Sequence, residues 1–521
     1  MATPSAATIV RLVLVGGPPL LVAVAVVLNA WSGLMPGVGF WDTGEFQTVL
    51  PLLGTAHPTG YPTYVLLGFA ANLLLAPLGE PAFRITVLSL LAVAFAAATT
   101  VVLVRRLTGS TLIAAASGLG LATTPVVWAN ATRADPHPIH LAFVALLWLL
   151  LVRWEQARGA GSPAADRWLV AAAAVFGLAA ANHSLTLLLA PPVGLYVLAV
   201  DARVLSAPRL VVGCVVAAIA AYGLVYLELP LRAGLFRAPL VYGHPETWDG
   251  FWSIALGEQF RGSLVDPFGN LGPKVAQLWT FAGQQLGLLA FAILPAFVIT
   301  VVRAPRYALL SGLAMLITLW FDVSYRNADI GRYYLGPVLW AWTWLGVLGA
   351  SIVDGIAGLA ALLNRRRAEA DSGRILRVGA AALIGVSLLL PSLLDWDGRR
   401  FQADRHADTS ASRWLDEILP GLARDAVVVS WWSTSTPLWY AQLVEGRRTD
   451  IFIVDDRTVH DQGFGSAAAV IGRFLGQRPV YVIRANSREL GEIRGEYDLE
   501  PAAGAGELTV WHVVGRRTAS R

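Results

Sequence analysis

Residues 83–104 read FRITVLSLLAVAFAAATTVVLV and run directly into Arg105-Arg106. As a helix this block rises about 33 Å, enough to cross a hydrocarbon core of roughly 30 Å. Its only charge is Arg84, near one end. Similar apolar blocks recur at roughly 8–30, 111–128, 139–152, 168–185, 186–201, 210–228, 277–302, 307–322, 336–355 and 378–394, giving about eleven expected transmembrane helices. Composition agrees: 56% of the 521 residues are hydrophobic and 14% charged, against roughly 25% charged in soluble domains. The first block is long and lacks a good cleavage site, so it reads as a retained helix and not a signal peptide.

The basic residues orient these helices. With the N-terminus cytoplasmic, Arg105 and Arg106, then Arg153, Arg158 and Arg167, then Arg203 and Arg209, then Arg303 and Arg306, then Arg365, Arg366, Arg367, Arg374 and Arg377 fall on the cytoplasmic side of the cell membrane. Residues 62–78 are apolar enough to span, but a crossing there would export Arg105 and Arg106. They are expected to form an amphipathic or re-entrant helix at the outer face, within a first outer loop of 31–82. Eleven crossings leave the C-terminus outside. The domains expected are therefore 1–397 in the membrane and 398–521 as a small extracytoplasmic α/β domain. In the latter, strands are expected at Asp425–Trp432, Asp450–Asp455, Pro479–Arg484 and Leu508–Val514, with helices at Ser410–Leu419, Thr436–Glu445 and Ala467–Leu475. The net charge of +4 is too small and scattered for nucleic-acid binding. The single cysteine, Cys214, can form no intrachain disulfide.

Polar residues gather in the outer loops. Asp42 and Glu45, in Gly39-Phe40-Trp41-Asp42-Thr43-Gly44-Glu45-Phe46, share one face if helical. They suit a general base with a supporting acid, or equally a capping box with Asp42 as N-cap. Ala56-His57-Pro58-Thr59-Gly60-Tyr61-Pro62 is a tight turn in which His57 either binds substrate, tunes a carboxylate or simply satisfies the turn. Arg133 is a candidate phosphate ligand, since guanidinium matches phosphate oxygens in a fork. Asp135, His137 and His140 match no strong metal pattern, and no metal is expected. Asn182-His183 at a helix end is either functional or interhelical packing. Arg232, at another helix end, faces the outer leaflet either as a phosphate ligand or as a snorkelling side chain. Arg326, Arg332, Tyr333 and Tyr334 either clamp a phosphate and a sugar or form an aromatic belt.

Asp42-x-x-Glu45 after the first helix, then His57-Pro58-x-Gly60-Tyr61-Pro62 and an apolar surface helix, resembles the domain-of-unknown-function 2723 family, which includes the transmembrane protein 260-type protein O-mannosyltransferases. Asn182-His183, Leu229-Pro230-Leu231-Arg232-Ala233, Gly243-His244-Pro245-Glu246-Thr247-Trp248 and Ser433–Gly446 extend the resemblance over nearly the whole chain. One departure is Arg133-Ala134-Asp135-Pro136, where relatives often carry an Ala-Glu-Val-Tyr-like segment. The resemblance implies a GT-C class glycosyltransferase, acting by inversion on the outer face. A polyprenyl-phosphate sugar, mannose by family, would be the donor, and a protein hydroxyl or envelope glycan the acceptor. Asp42 would be the base, with Glu45 orienting the acceptor or holding the loop. His57, Tyr61, Arg133, Asn182, His183, Arg232, Arg332 and Tyr333 would bind substrate, arginine replacing any metal or other cofactor at the leaving phosphate. A transporter would show inverted repeats, which the sequence lacks. A non-catalytic scaffold would need no acid at Asp42.

Overall fold

The computed structural model describes residues 6–363, 370–484 and 487–517. Arg365, Arg366 and Arg367 of the last basic loop lie outside the described residues. Each of the eleven expected membrane segments is helical. Among the described residues, seven helices are long and apolar enough to cross a membrane, or eight if one bent pair is counted as a single span. That pair is α5 (Thr111–Ala122) and α6 (Pro125–Ala131), which meet at 66° where Pro125 opens the second helix. The first helix is α1 (Ala6–Trp31), apolar over its described side chains, Gly16–Trp31. Two further segments, α8 (Ala165–Asn182) and Pro305–Asp322, carry charged residues at their ends, such as Asp166 and Arg306.

Local signals explain the boundaries. Pro81 begins α4 (Pro81–Thr108), and Gly109 closes it with φ +74°, its N–H bonded to the Arg105 carbonyl. Asp135 caps α7 (Pro136–Gly159), accepting from the His137 N–H. These two helices form the heart of the bundle: 72% of the apolar window of α4 and 78% of that of α7 are buried, against 11% for Pro208–Leu235 at the rim. The segment at 62–78, expected as one helix at the outer face, divides into a helix over Pro62–Leu74 and a short 3-10 turn over Ala76–Leu78. α3 (Pro62–Leu74) has 13 residues, about 20 Å, too few to span. It buries Tyr64, Val65 and Gly68 and leaves Leu66, Leu67, Leu73 and Leu74 exposed.

The C-terminal part is built on a five-stranded sheet of order β2-β1-β3-β5-β4, with strands β1 (Val427–Val429), β2 (Phe452–Val454), β3 (Val480–Val482), β4 (Tyr497–Ala503) and β5 (Val510–Arg516). The first three are parallel and the last two antiparallel. Its three parallel strands are buried on both faces. Val427, Val429, Val480 and Val482 pack with Val470 and Ile471 of the helix Ala467–Phe474. Val428 and Ile453 instead join the apolar core that continues into α4 and α7. Membrane and α/β parts therefore share one core. β4 escapes the sequence reading because Asp498, Glu500 and Pro501 give it little strand character; it is tolerated at the sheet edge. The expected helix at 436–445 begins earlier, at Trp432, and widens into a π turn over Tyr440–Val444.

Candidate active site

Asp42 sits in the first turn of α2 (Trp41–Leu52), where the positive end of the helix favours a carboxylate. The capping-box alternative fails. Phe40 occupies the N-cap position and provides no side-chain cap, and Glu45 turns away to His57. Gly44 lets the incoming loop close on the helix: a Cβ there would lie 2.2 Å from the Gly39 carbonyl oxygen. Gln47 secures the same loop, accepting from the Gly39 N–H at 2.8 Å and donating to the Gly37 carbonyl at 3.1 Å.

Asp42 faces a cavity of ≈ 760 Å³. Its Oδ2 accepts from Arg332 Nη2 at 2.8 Å and its Oδ1 from Trp432 Nε1 at 3.3 Å. Arg332 Nη1 donates to Asp135 Oδ2 at 3.1 Å, and Asp135 Oδ1 lies 2.7 Å from His137 Nδ1. Arg133 Nη2 donates to Asp329 Oδ2 at 2.5 Å and to Asn130 Oδ1 at 2.9 Å. A second chain runs behind the cavity. Fully buried Glu45 accepts the His57 backbone N–H through Oε1 at 2.7 Å and pairs its Oε2 with His57 Nδ1. The Tyr61 hydroxyl lies 3.2 Å from His57 Nε2.

These contacts set the charges. Burial pushes the Asp42 carboxyl up, but the positive charges of His57 and Arg332, with the Arg332 and Trp432 hydrogen bonds, outweigh it and hold the group below the usual carboxylate range. Burial likewise opposes ionisation of Asp135, yet His137 and Arg332 hold it well below that range. Burial pushes His57 down, and Glu45 overrides it, leaving the imidazole more basic than usual. Asp42 is thus kept as a carboxylate at neutral pH. Asp42, Glu45 and His57 bring ligand atoms within 4.8 Å of one another, close enough to share a cation. Both Glu45 oxygens are already engaged by His57, so the trio is wired as an ion-pair chain.

Of the catalytic and substrate-binding candidates that the resemblance implies, Asp42, His57, Tyr61, Arg133, His183, Arg332 and Tyr333 line this cavity together. Three do not. Glu45 stands behind His57 and holds the loop. Asn182 is buried between helices, donating to the Pro136 carbonyl at 3.2 Å, which is the packing role. Arg232 closes the other end of α2: its Nε and Nη2 donate to the Leu53 and Leu52 carbonyls at 2.9 and 3.0 Å, leaving it no part in the cavity wall. Among the lining residues that were not foreseen are Arg405 and Trp432. Arg405 follows the last apolar helix with no motif around it. Trp432 carried a usable signal, since it lies just past the C-terminal end of the parallel strand β1, where ligands gather in open α/β sheets.

Residues 42–206 match the family described as the Protein O-mannosyl-transferase TMEM260 N-terminal domain. The chain is 26% identical to mouse Protein O-mannosyl-transferase TMEM260 over 439 residues, which is 80% of this chain and 59% of the mouse protein. The chain therefore spans somewhat over half the length of that relative. Among solved structures, ArnT from Cupriavidus metallidurans in the apo state superposes with a TM-score of 0.59 at 15% identity, over 95% of this chain and 97% of that one. ArnT bound to undecaprenyl phosphate gives 0.54 at 16% identity over the same shares. The Archaeoglobus fulgidus oligosaccharyltransferase tethered with an acceptor peptide gives 0.54 at 14% identity, over 96% of this chain and 75% of that one. Residues 42–206 thus match the TMEM260 N-terminal domain, within a chain whose overall fold is that of ArnT and the archaeal oligosaccharyltransferase.

Proposed function

We propose that this protein is an inverting membrane glycosyltransferase that moves a sugar, mannose, from a polyprenyl-phosphate donor to a hydroxyl of a protein Ser or Thr. The observation that carries the reading is the Asp42 carboxylate, held ionised by Arg332 and Trp432 at the wall of a large cavity. Support for the donor comes from the undecaprenyl phosphate bound to ArnT. Support for sugar and acceptor comes from the mouse relative's name and the peptide tethered to the archaeal enzyme. The eleven crossings, the cytoplasmic N-terminus, the cell-membrane location and the division at residue 397 belong to the same proposal; the run of basic loops supports them.

In this reaction the acceptor oxygen attacks the anomeric carbon on the face opposite the phosphate. The bond from that carbon to the phosphate oxygen breaks, and its electrons leave with the lipid phosphate. Asp42 takes the acceptor hydroxyl proton, an effect typically worth about 10²–10⁴ in rate. Arg332 fixes the Asp42 carboxylate against Asp135, and Glu45 with His57 fixes the loop that walls the cavity. Leu185, Leu188 and Phe321 give the cavity an apolar side suited to an isoprenoid chain.

The test is transfer by purified protein in detergent, from labelled undecaprenyl-phosphate mannose to an envelope protein extract. Wild type should transfer label to protein, and Asp42→Asn should lose at least about a hundredfold in rate while keeping its melting temperature. Full activity in the folded variant would remove Asp42 as the base. Absence of transfer by wild type with any polyprenyl-phosphate sugar would overturn the proposal.

A further inference from the structure

Trp432 belongs to the helix that follows β1 in the α/β part, 390 positions from Asp42, yet its indole N–H points at Asp42 Oδ1 at 3.3 Å. Its ring is gripped from several sides. His57 meets it edge-on at 5.8 Å between ring centroids, and Trp439 does so at 5.8 Å. The neighbouring Trp431 packs edge-on against Trp41, the residue before Asp42, at 5.1 Å. Behind these rings lies Arg457, 8% exposed, its guanidinium 4.5 Å from the Trp439 ring centroid, 4.8 Å from Tyr242 and 6.0 Å from Trp432. Arg457 makes no ion pair among the described residues, and its Nη1 has no hydrogen-bond partner there. A buried cation spent on aromatic faces acts as a wedge that fixes the rings around it.

A carboxylate in a first helical turn can adopt several rotamers. Arg332 fixes one oxygen of Asp42. A single contact leaves the carboxylate plane free to rotate, whereas a donor on the other oxygen settles it. Trp432 supplies that donor, and an indole can only donate, so it cannot take the acceptor's proton in place of Asp42.

We infer that Trp432, supplied by the C-terminal α/β part and wedged by Arg457, is a positioning residue that sets the orientation of the Asp42 carboxylate for proton abstraction. This rests on the glycosyltransferase reading above and assigns the α/β part a direct share in the chemistry. The charged groups facing Asp42 are Arg332 from the turn before Leu335–Leu363, backed by Asp135, and His57 from the loop after α2, backed by Glu45. Of these only His57 meets Trp432, ring against ring, and Trp432→Phe keeps a ring at that contact, so a shift in the pH profile reports the lost indole donor.

The experiment compares wild type, Trp432→Phe, Arg457→Met and the double variant in the undecaprenyl-phosphate mannose assay across pH. Trp432→Phe keeps a ring but loses the donor. Its kcat should fall about tenfold, the scale of one hydrogen bond to a charged group, with the donor KM little changed. The donor holds the Asp42 carboxyl down, so its loss raises that group, and the acid limb of the profile should move to higher pH. Arg457→Met should act in the same direction but more weakly. The double variant should match Trp432→Phe alone, because Arg457 acts through Trp432. Wild-type kcat and an unmoved acid limb in a folded Trp432→Phe would overturn the inference while leaving the enzyme intact, as would additive losses in the double variant. Inactive wild type would instead sink the glycosyltransferase reading beneath it.

Discussion

Three guanidinium groups line the cavity, and they are not equivalent. Arg332 is shared between Asp42 and Asp135, and Arg133 is held by Asp329. Three carboxylates thus face two cations, which leaves that cluster little capacity for an anionic donor. Arg405 makes no ion pair among the described residues, and its Nε lacks a hydrogen-bond partner there. Its backbone N–H is tied to the Gly33 carbonyl at 2.8 Å, at the end of α1. Arg405→Gln should therefore raise the donor KM by about tenfold, with Arg405→Lys intermediate, measured by titrating undecaprenyl-phosphate mannose at fixed acceptor. An unchanged KM would return the phosphate to Arg133 or Arg332. At this scale the sequence was informative where residue type and loop coincide: Asp42, His57 and Arg332 were found because charge beside a membrane boundary needs a reason. Arg232 misled because a guanidinium at a helix end suits a lipid phosphate and a helix's free carbonyls equally well. Arg405 and Trp432 stayed hidden because their importance comes from partners far away in the chain.

At the scale of single elements, α2 is short and strained at both ends by its task. Phe40 gives no cap at its start, and Leu53 takes a positive φ of 49° at its finish. Arg232 meets the free carbonyls at that finish. Arg232→Gln should lower stability by about 1–3 kcal/mol, seen as a lower melting temperature in detergent, and should weaken transfer only through misplacement of α2. A variant that melts like wild type but binds donor poorly would restore the lipid-facing role expected from sequence. Element type was legible throughout the membrane part because apolar periodicity and prolines mark helices strongly. The break between α5 and α6 was not, since Pro125 sits inside a continuous apolar run and reads as a tolerated membrane proline. In the α/β part the buried valine strands announced themselves, and the charged edge strand β4 did not.

Over the whole molecule, the apolar core runs without a break from α4 and α7 through Trp414, Leu438 and Tyr440 to Val428 and Ile453 of the sheet. The division near residue 397 that composition suggests is a change of solvent, and the packing crosses it. Tyr440 bonds the Ala82 N–H at the start of α4 at 3.1 Å, and Thr132 bonds the Ala403 carbonyl at 2.6 Å. The detergent-solubilised protein should therefore lose its near-ultraviolet tryptophan signal and its helical far-ultraviolet signal in one thermal transition. Two well-separated transitions would show that the sheet folds on its own. The reach of Trp432 into the first outer loop also bears on how the protein is made. Asp42, the proposed base, is synthesised 390 residues before the indole that donates to it. On the proposed mechanism, a ribosome-bound intermediate would hold Asp42 unaligned until Trp432 has emerged, and the unfinished enzyme would sit beside its lipid donor without consuming it.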